Sequence, residues 1–277
     1  MVLCVLLLCG RCTKEKSFDP GDLPDLLHIT GYIDPQRGVS VLVTKAVSAT
    51  DTVFLKSLLI NDAQVSLSQE SGMKMSVGYV AEGKYVLPVS GLGRVEKGQK
   101  YRIEVSVPGL PTATSDWVII PDTVRIDSFT YRLDGKMNGN SPTTEGYVRL
   151  KDDAPSGQTK YYYMQKTTEA NGPVPLLNFE SAYVCTDLSA LRSYSFTNSC
   201  FIQDEGIFHL RGEARNATSA TFFIGGASKE HRMYIESLLQ PEEWDNALIH
   251  PKLTYTNIQG GLGVFYATHT VARKVRF

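Results

Sequence analysis

The sequence has little cysteine beyond its first twelve residues and no excess of charge of either sign. Of five cysteines only two lie beyond residue 12, and 28 Lys+Arg balance 29 Asp+Glu over 277 residues. Balanced charge leaves no basic face of the kind that nucleic-acid binding requires. The two later cysteines, Cys185 and Cys200, have no histidine nearby at ligand spacing, which disfavours a zinc site.

Sequence patterns for catalysis are also missing. No H-E-x-x-H, G-x-S-x-G or Cys–His signature occurs. Residues 71–74 spell S-x-x-K, but they lie in a hairpin-like region and lack the partner strings of acylating enzymes. Residues 134–145 resemble a calcium loop except that Lys136 stands where a ligand oxygen belongs, so a solvated loop is predicted. The five histidines are scattered singly and are interpreted as surface residues. We therefore expect a protein that is not an enzyme and that holds no cofactor or metal.

The first twelve residues are predicted to lie outside the fold. Residues 2–9 form an uncharged apolar run, too short to span a bilayer and typical of a secretion signal. The run ends at Cys12 and charged residues follow at once, as in bacterial lipoprotein signals, where the cysteine becomes the lipidated N-terminus. Cys9 and Cys4 are alternative lipidation sites, and a short buried N-terminal segment is the alternative to a signal. Residues 13–25 would then form a tether.

The two remaining cysteines are a candidate disulfide. Cys185 and Cys200 lie fifteen positions apart, and an isolated pair in an exported protein favours a bond. Closing such a loop contributes about 3 kcal/mol in the chain-entropy model. Two unpaired buried thiols are the alternative.

The first half of the chain has the pattern of a β-sandwich. Ala63, Val65 and Leu67 alternate with polar residues, as on a strand with one buried face. Seven such runs within about a hundred residues predict an immunoglobulin-like or transthyretin-like sandwich over residues 26–120. The runs are residues 28–33, 39–44, 63–68, 74–80, 85–89, 101–107 and 112–120.

The second half, residues 121–277, is predicted to be a separate β-rich domain with one helix. Ser228 is a candidate N-cap, and apolar residues at helical spacing place the helix near 229–240. Tyr161, Tyr162 and Tyr163 alternate along one strand, so at least one ring should be exposed. Such a ring, or Trp117 or Trp244, could serve a sugar-binding surface, although core packing or edge exposure is favoured. Predicted strands cover residues 129–133, 147–150, 161–166, 182–185, 207–211, 220–224 and 264–271.

The most constrained string is the glycine-rich turn at residues 256–265. Gly260, Gly261 and Gly263 lie between apolar runs, which indicates positive φ or very close approach of a neighbour. A phosphate loop would need a lysine, a hydroxyl and a helix after the glycines, but a strand follows here. We predict a structural turn around which the second half closes, with Asn257 and Gln259 hydrogen-bonding its backbone.

Taken together, these features resemble a family of Bacteroidota outer-membrane lipoproteins classed as a domain of unknown function. The resemblance rests on the lipoprotein-like start, the Asn-Asp-Ala-Gln-Val motif at residues 61–65 and the short helix. Above all, it rests on the Asn-Ile-Gln-Gly-Gly-Leu-Gly-Val-Phe motif at 257–265. It implies a lipid anchor in the outer membrane and a role beside a TonB-dependent receptor in capture or uptake. It implies no catalytic residue. A structural or adhesive surface protein, with the sandwiches as spacers, is the alternative.

Overall fold

The computed structural model describes residues 25–47, 55–138, 141–152, 159–169, 177–181, 187–190, 193–202, 204–213, 217–239 and 254–277. Within these ranges most residues form strands, which confirms the predicted, mainly all-β class. The predicted strand at 182–185 lies outside the described residues.

The first half contains eight strands and two helices of a single turn. The predicted run at 112–120 forms two very short strands, and neither helix was expected from the pattern. The elements are β1 (Leu27–Asp34), β2 (Gly38–Lys45), α1 (Leu55–Leu58), β3 (Gln64–Gln69), β4 (Lys74–Ala81), β5 (Lys84–Leu87), α2 (Val89–Leu92), β6 (Lys100–Ser106), β7 (Ala113–Ser115) and β8 (Val118–Ile119).

The second half contains ten strands and the one substantial helix of the described residues. A 3₁₀ turn, Asn198–Cys200, follows the sixth of these strands. The elements are β9 (Arg125–Asn138), β10 (Ser141–Lys151), β11 (Tyr161–Glu169), β12 (Leu177–Ser181), β13 (Asp187–Ala190), β14 (Ser193–Thr197), β15 (Glu205–Glu213), β16 (Ser219–Ala227), α3 (Lys229–Leu239), β17 (Ile258–Gln259) and β18 (Gly261–Arg276).

The first sandwich is closed by β4, which pairs with strands on both sides of the core. Its residues 74–77 pair with β3, and its later residues pair with β5. Val65 and Leu67 are buried, as the alternation predicts, and they join an apolar core with alternate residues of β6. The strand order through this sandwich is β18-β1-β2-β5-β4-β3-β6-β7-β17.

The last strand, β18, belongs to both halves of the molecule. Its residues 261–267 pair in parallel with residues 27–33 of β1, and its residues 268–276 pair antiparallel with β16. The short β17 pairs with β7. A division at residue 120 therefore does not describe the C-terminal segment, because the glycine turn closes onto the first sandwich rather than around the second.

The second sandwich packs two sheets over a core rich in aromatic rings. One sheet has the order β13-β14-β11-β16-β18, and the other has the order β12-β15-β10-β9. The Phe222 ring lies edge-on to Tyr131, with ring centroids 4.7 Å apart, and contacts Phe129 at 5.1 Å. Phe196, Phe208 and Leu210 fill the same core without exposure.

Helix α3 covers the outer face of the first of these sheets. Tyr234 and Ile235 pack against Val264 of β18, while Leu238 stays 39% exposed. Strand β11 is therefore buried on both faces: Tyr162 lies in the second core, and Tyr163 lies under α3, 5.1 Å from the His231 ring. The expectation of an exposed ring at residues 161–163 is thus not met at Tyr162 or Tyr163, and Tyr161 is half-buried, since a helix covers the face that a sandwich usually leaves to water. Among the described residues, no helix is long and apolar enough to cross a membrane.

Candidate functional site at the junction of the two sandwiches

The turn between β1 and β2 carries an arginine to the place where the two sandwiches meet. The Asp34 carboxylate accepts a hydrogen bond from the Gln36 backbone N–H at 2.7 Å, and the Asp34 carbonyl accepts one from the Arg37 N–H at 3.2 Å. Gly38 completes the turn with φ of +83°. An aspartate that bonds its own backbone two residues on is typical of tight turns, and it fixes the direction of Arg37 here.

The other oxygen of Asp34 joins this turn to the last strand. Asp34 is fully buried, and its Oδ2 accepts hydrogen bonds from Thr268 Oγ1 at 2.7 Å, Thr270 Oγ1 at 2.8 Å and Thr270 N at 3.1 Å. These threonines lie where β18 passes from the first sandwich to the second. The carboxylate is thus satisfied by neutral donors.

Aromatic rings hold the Arg37 guanidinium in place. Its central carbon lies 4.2 Å from the Tyr32 ring centroid and 4.6 Å from that of Phe223. Its Nη1 donates to the Tyr163 hydroxyl at 3.2 Å, and that hydroxyl donates to Gln165 Oε1 at 2.6 Å. Stacking on ring faces attracts the cation and restricts the guanidinium plane.

Most donors of this guanidinium remain unused. An arginine offers five N–H groups, yet among the described residues Arg37 makes one side-chain hydrogen bond and no ion pair. Its nitrogens are absent from the buried, unsatisfied atoms of that part of the chain, so the unused donors keep some contact with solvent. Burial alone would lower the pKa of Arg37, but the hydroxyls of Tyr163, Tyr32 and Tyr266 raise it, so the side chain stays charged.

A buried histidine lies behind these rings. His231 of α3 is 2% exposed, and its ring lies 5.1 Å from that of Tyr163 and 4.7 Å from that of Tyr266. Its Nδ1 has no hydrogen-bond partner. Burial, and then the charge of Arg232, lower the pKa of His231 to about 3, so the ring is neutral near pH 7. The prediction of a surface histidine is wrong at this position, because the opposite face of α3 is the exposed one.

We refer to these side chains as the junction cluster. It combines one half-buried cation, neutral hydroxyls and ring faces that come from both sandwiches and from α3. The cluster consists of Tyr32, Arg37, Tyr163, Phe223, His231 and Tyr266.

The glycine motif positions the strand that supplies Tyr266. Gly260 and Gly263 have φ of +74° and +102°. A Cβ at Gly263 would lie 2.0 Å from the Ile29 carbonyl oxygen, and one at Gly261 would lie 2.8 Å from the Leu27 carbonyl oxygen. Both positive φ and close approach, the two conditions that the sequence pattern indicates, therefore occur in this turn.

Asn257 fixes the same strand from the other side. Its Nδ2 donates to the Phe265 carbonyl at 2.8 Å, and its Oδ1 accepts from the Phe265 N–H at 3.0 Å. Gln259, expected to bond its own turn, instead donates to Asp116 Oδ1 at 2.9 Å. The motif thus anchors β18 against the first sandwich and places Tyr266 beside Arg37.

The predicted cysteine sites are only partly within the described residues. Cys200 is buried in the second core and is disulfide-bonded. Cys185 and Cys12 lie outside the described residues, so the Cys185–Cys200 pairing and the lipidation of Cys12 stay predictions. In the described part of the chain, no three His, Cys, Asp or Glu side chains are placed to hold a metal ion.

Sequence reasoning missed the junction cluster because its members look ordinary one by one. Arg37 lies in a Pro-Gln-Arg-Gly turn, where a charge usually faces water. Only the neighbouring Tyr32 offers a local signal. Trp117, considered as a sugar platform, lies under the Arg102 guanidinium at 4.6 Å, and Trp244 lies outside the described residues.

Comparison with known proteins places the chain in a family. No curated protein matches the sequence. Residues 13–274 match the family model described as Domain of unknown function (DUF4249). Because the match covers nearly the whole sequence, the chain belongs to the DUF4249 family.

Proposed function

We propose that this protein is a non-catalytic binding component of a nutrient uptake system, held in the outer membrane by a lipid on Cys12. It collects a ligand for a TonB-dependent receptor. The observation that supports a binding role is the charged Arg37 guanidinium, fixed between rings with most of its donors unused by the described residues. The receptor and the membrane location come from the family resemblance.

The position of Arg37 favours binding because it is preorganised. The turn that carries Arg37 is bonded to β18, and β18 is shared by both sandwiches. A group held by rigid elements loses little conformational freedom when a ligand arrives, so more of the interaction energy appears as affinity.

The receptor is tested by isolating the protein from its native outer membrane in mild detergent. The ring centroids of Phe277 and Tyr131 lie 5.9 Å apart, so the last residue packs against the second sandwich. The affinity tag is therefore attached through a flexible linker after Phe277, which leaves this contact intact. We expect a TonB-dependent receptor in stoichiometric amount, identified by mass spectrometry. Recovery of the protein alone, or with matrix material only, would contradict the uptake role.

The anchor is tested separately by fatty-acid labelling of Cys12→Ala. We expect the variant to lose both the label and its place in the membrane fraction. Matched variants at Cys9 and Cys4 should keep both. A label that persists in Cys12→Ala and disappears in one of the others would move the anchor to that cysteine.

A structural or adhesive role is the second candidate. It is favoured by β18, because one strand of sixteen residues, Gly261–Arg276, joins both sandwiches as a rigid spacer would. Binding of purified protein to cells or matrix, unchanged in receptor-deficient membranes, would support this role over uptake.

A further inference from the structure

We infer that the junction cluster binds the carboxylate group of a small organic ligand through the open edge of the Arg37 guanidinium. This inference rests on the proposed binding function and names the ligand class that the site would take.

The charge of the cluster matches a singly charged anion. Arg37 is its only charged member, since His231 is neutral near pH 7 and the pKa of Tyr163 is raised by burial to about 12. The nearby Asp34 carboxylate accepts hydrogen bonds from Gln36, Thr268 and Thr270 and, among the described residues, makes no ion pair with Arg37, so the guanidinium can still pair with a ligand. A carboxylate carries one negative charge, whereas a phosphate monoester carries about 1.5 to 2 at pH 7 and calls for further cations.

The open directions around Arg37 also suit a carboxylate. The Tyr32 and Phe223 rings lie against the guanidinium, and Tyr163 takes one Nη1 donor, so a ligand approaches along an edge. An edge of a guanidinium matches the two oxygens of a carboxylate through parallel hydrogen bonds. Tyr32 and Phe223 are half-buried, which leaves ring surface for the apolar part of the ligand.

His231 is an independent sign that the side chains alone do not complete this cluster. Its Nδ1 is buried and makes no hydrogen bond, although its ring contacts the same two tyrosines, Tyr163 and Tyr266, that surround Arg37. Buried polar atoms without partners are rare, and this one lies on a ring that contacts the tyrosines beside Arg37. A polar group of the ligand, or a water bound with it, is the partner that we assign.

The test measures binding of benzoate to the purified full chain by calorimetry, with inorganic phosphate as a second probe at constant ionic strength. We expect benzoate to bind and Arg37→Gln to weaken binding by about tenfold or more, because a charge-assisted pair is lost. Arg37→Lys should also weaken binding, since it keeps the charge but not the planar fork. The matched control is Arg102→Gln, which removes another ring-stacked arginine, far from the cluster in sequence, and should bind as the wild type does.

A second measurement needs no variant. In protein with ¹⁵N-labelled arginine, benzoate should shift the Nε–H signal of Arg37 and leave that of Arg102 in place. Binding that is equal in wild type and folded Arg37→Gln, or an unshifted Arg37 signal, would overturn the site. Phosphate binding tighter than benzoate, or no benzoate binding at tens of millimolar, would overturn the ligand class. Receptor recovery in the membrane experiment would still support the proposed function.

Discussion

A single buried carboxylate connects the two sandwiches at the scale of one residue. Asp34 accepts hydrogen bonds from the turn that presents Arg37 and from two threonines of β18. Thr268 and Thr270 are buried, so water cannot replace the carboxylate as their acceptor. Loss of a charged acceptor leaves these donors unsatisfied, which costs more than the bond itself contributes.

We therefore expect Asp34→Asn to lower the free energy of unfolding by about 2 to 4 kcal/mol, because an amide N–H₂ would face donors. Urea unfolding measures this change. The exposed Asp127→Asn is the matched control and should stay within about 0.5 kcal/mol of the wild type. An Asp34→Asn variant as stable as the control would show that the carboxylate is not needed.

His231 makes stability depend on pH. The pKa of His231 is about 3 in the folded protein against 6.5 for the free side chain. Between these two values the side chain is protonated in the unfolded chain and neutral in the folded protein. Stability should therefore be fully present above pH 6.5 and fall between pH 6.5 and 3, by about 3 kcal/mol at pH 4. Urea unfolding across this range should be less pH-dependent in His231→Gln, and parallel curves would contradict the assignment, since the carboxylates titrate in both proteins.

Ser195 is a case in which a polar group should be dispensable. Its hydroxyl is fully buried opposite Tyr163 and makes no hydrogen bond. Because an unsatisfied buried hydroxyl costs about 1 to 3 kcal/mol, Ser195→Ala should be as stable as the wild type or more stable. Thermal unfolding measures the change, and a loss of more than about 1 kcal/mol would mean that the hydroxyl has a partner, such as bound water.

At the scale of elements, the glycine turn offers a matched comparison of backbone strain and steric clash. Gly263 and Gly72 have nearly the same φ, +102° and +101°, but a Cβ at Gly263 meets the Ile29 carbonyl whereas one at Gly72 meets nothing within 4 Å. Gly72→Ala should cost about 1 to 2 kcal/mol from φ alone. Gly263→Ala should cost more than about 3 kcal/mol, measured by urea unfolding. Equal losses would mean that close packing against β1 is not what requires the glycine.

Much of the fold could be predicted from local pattern, and the junction could not. The alternation of apolar and polar residues predicts that Val65 and Leu67 are buried, and they are. The helical spacing of Tyr234 and Ile235 likewise predicts the face of α3 that packs on the sheet. The parallel pairing of β1 with β18 has no local signature, because the residues of a strand do not specify which strand more than two hundred residues away will pair with it. Arg37 becomes a site only when Phe223 and Tyr163 reach it from the other sandwich.

At the scale of the whole molecule, the shared strand predicts that the two sandwiches unfold together. Phe222→Ala removes a fully buried ring from the second core and should cost about 3 to 5 kcal/mol. Because β18 belongs to both sandwiches, amides of β1 in the first sandwich should lose protection along with those of β15. Hydrogen exchange followed by mass spectrometry tests this.

The control for that experiment is Val80→Ala, which shortens a side chain that is 60% exposed on β4 and should leave exchange unchanged. Loss of protection confined to the second sandwich of Phe222→Ala would mean that the sandwiches unfold independently.

The pairing of β1 with β18 has a consequence for how the chain is made. When Leu27 leaves the ribosome its partner, Gly261, has not yet been synthesised, so one edge of β1 stays open through almost all of synthesis. Contacts between such distant residues form slowly, and an open strand edge can pair with another chain. The first sandwich is thus completed only when β18 has been made, so a chain cut short before β18 would keep this edge of β1 unpaired.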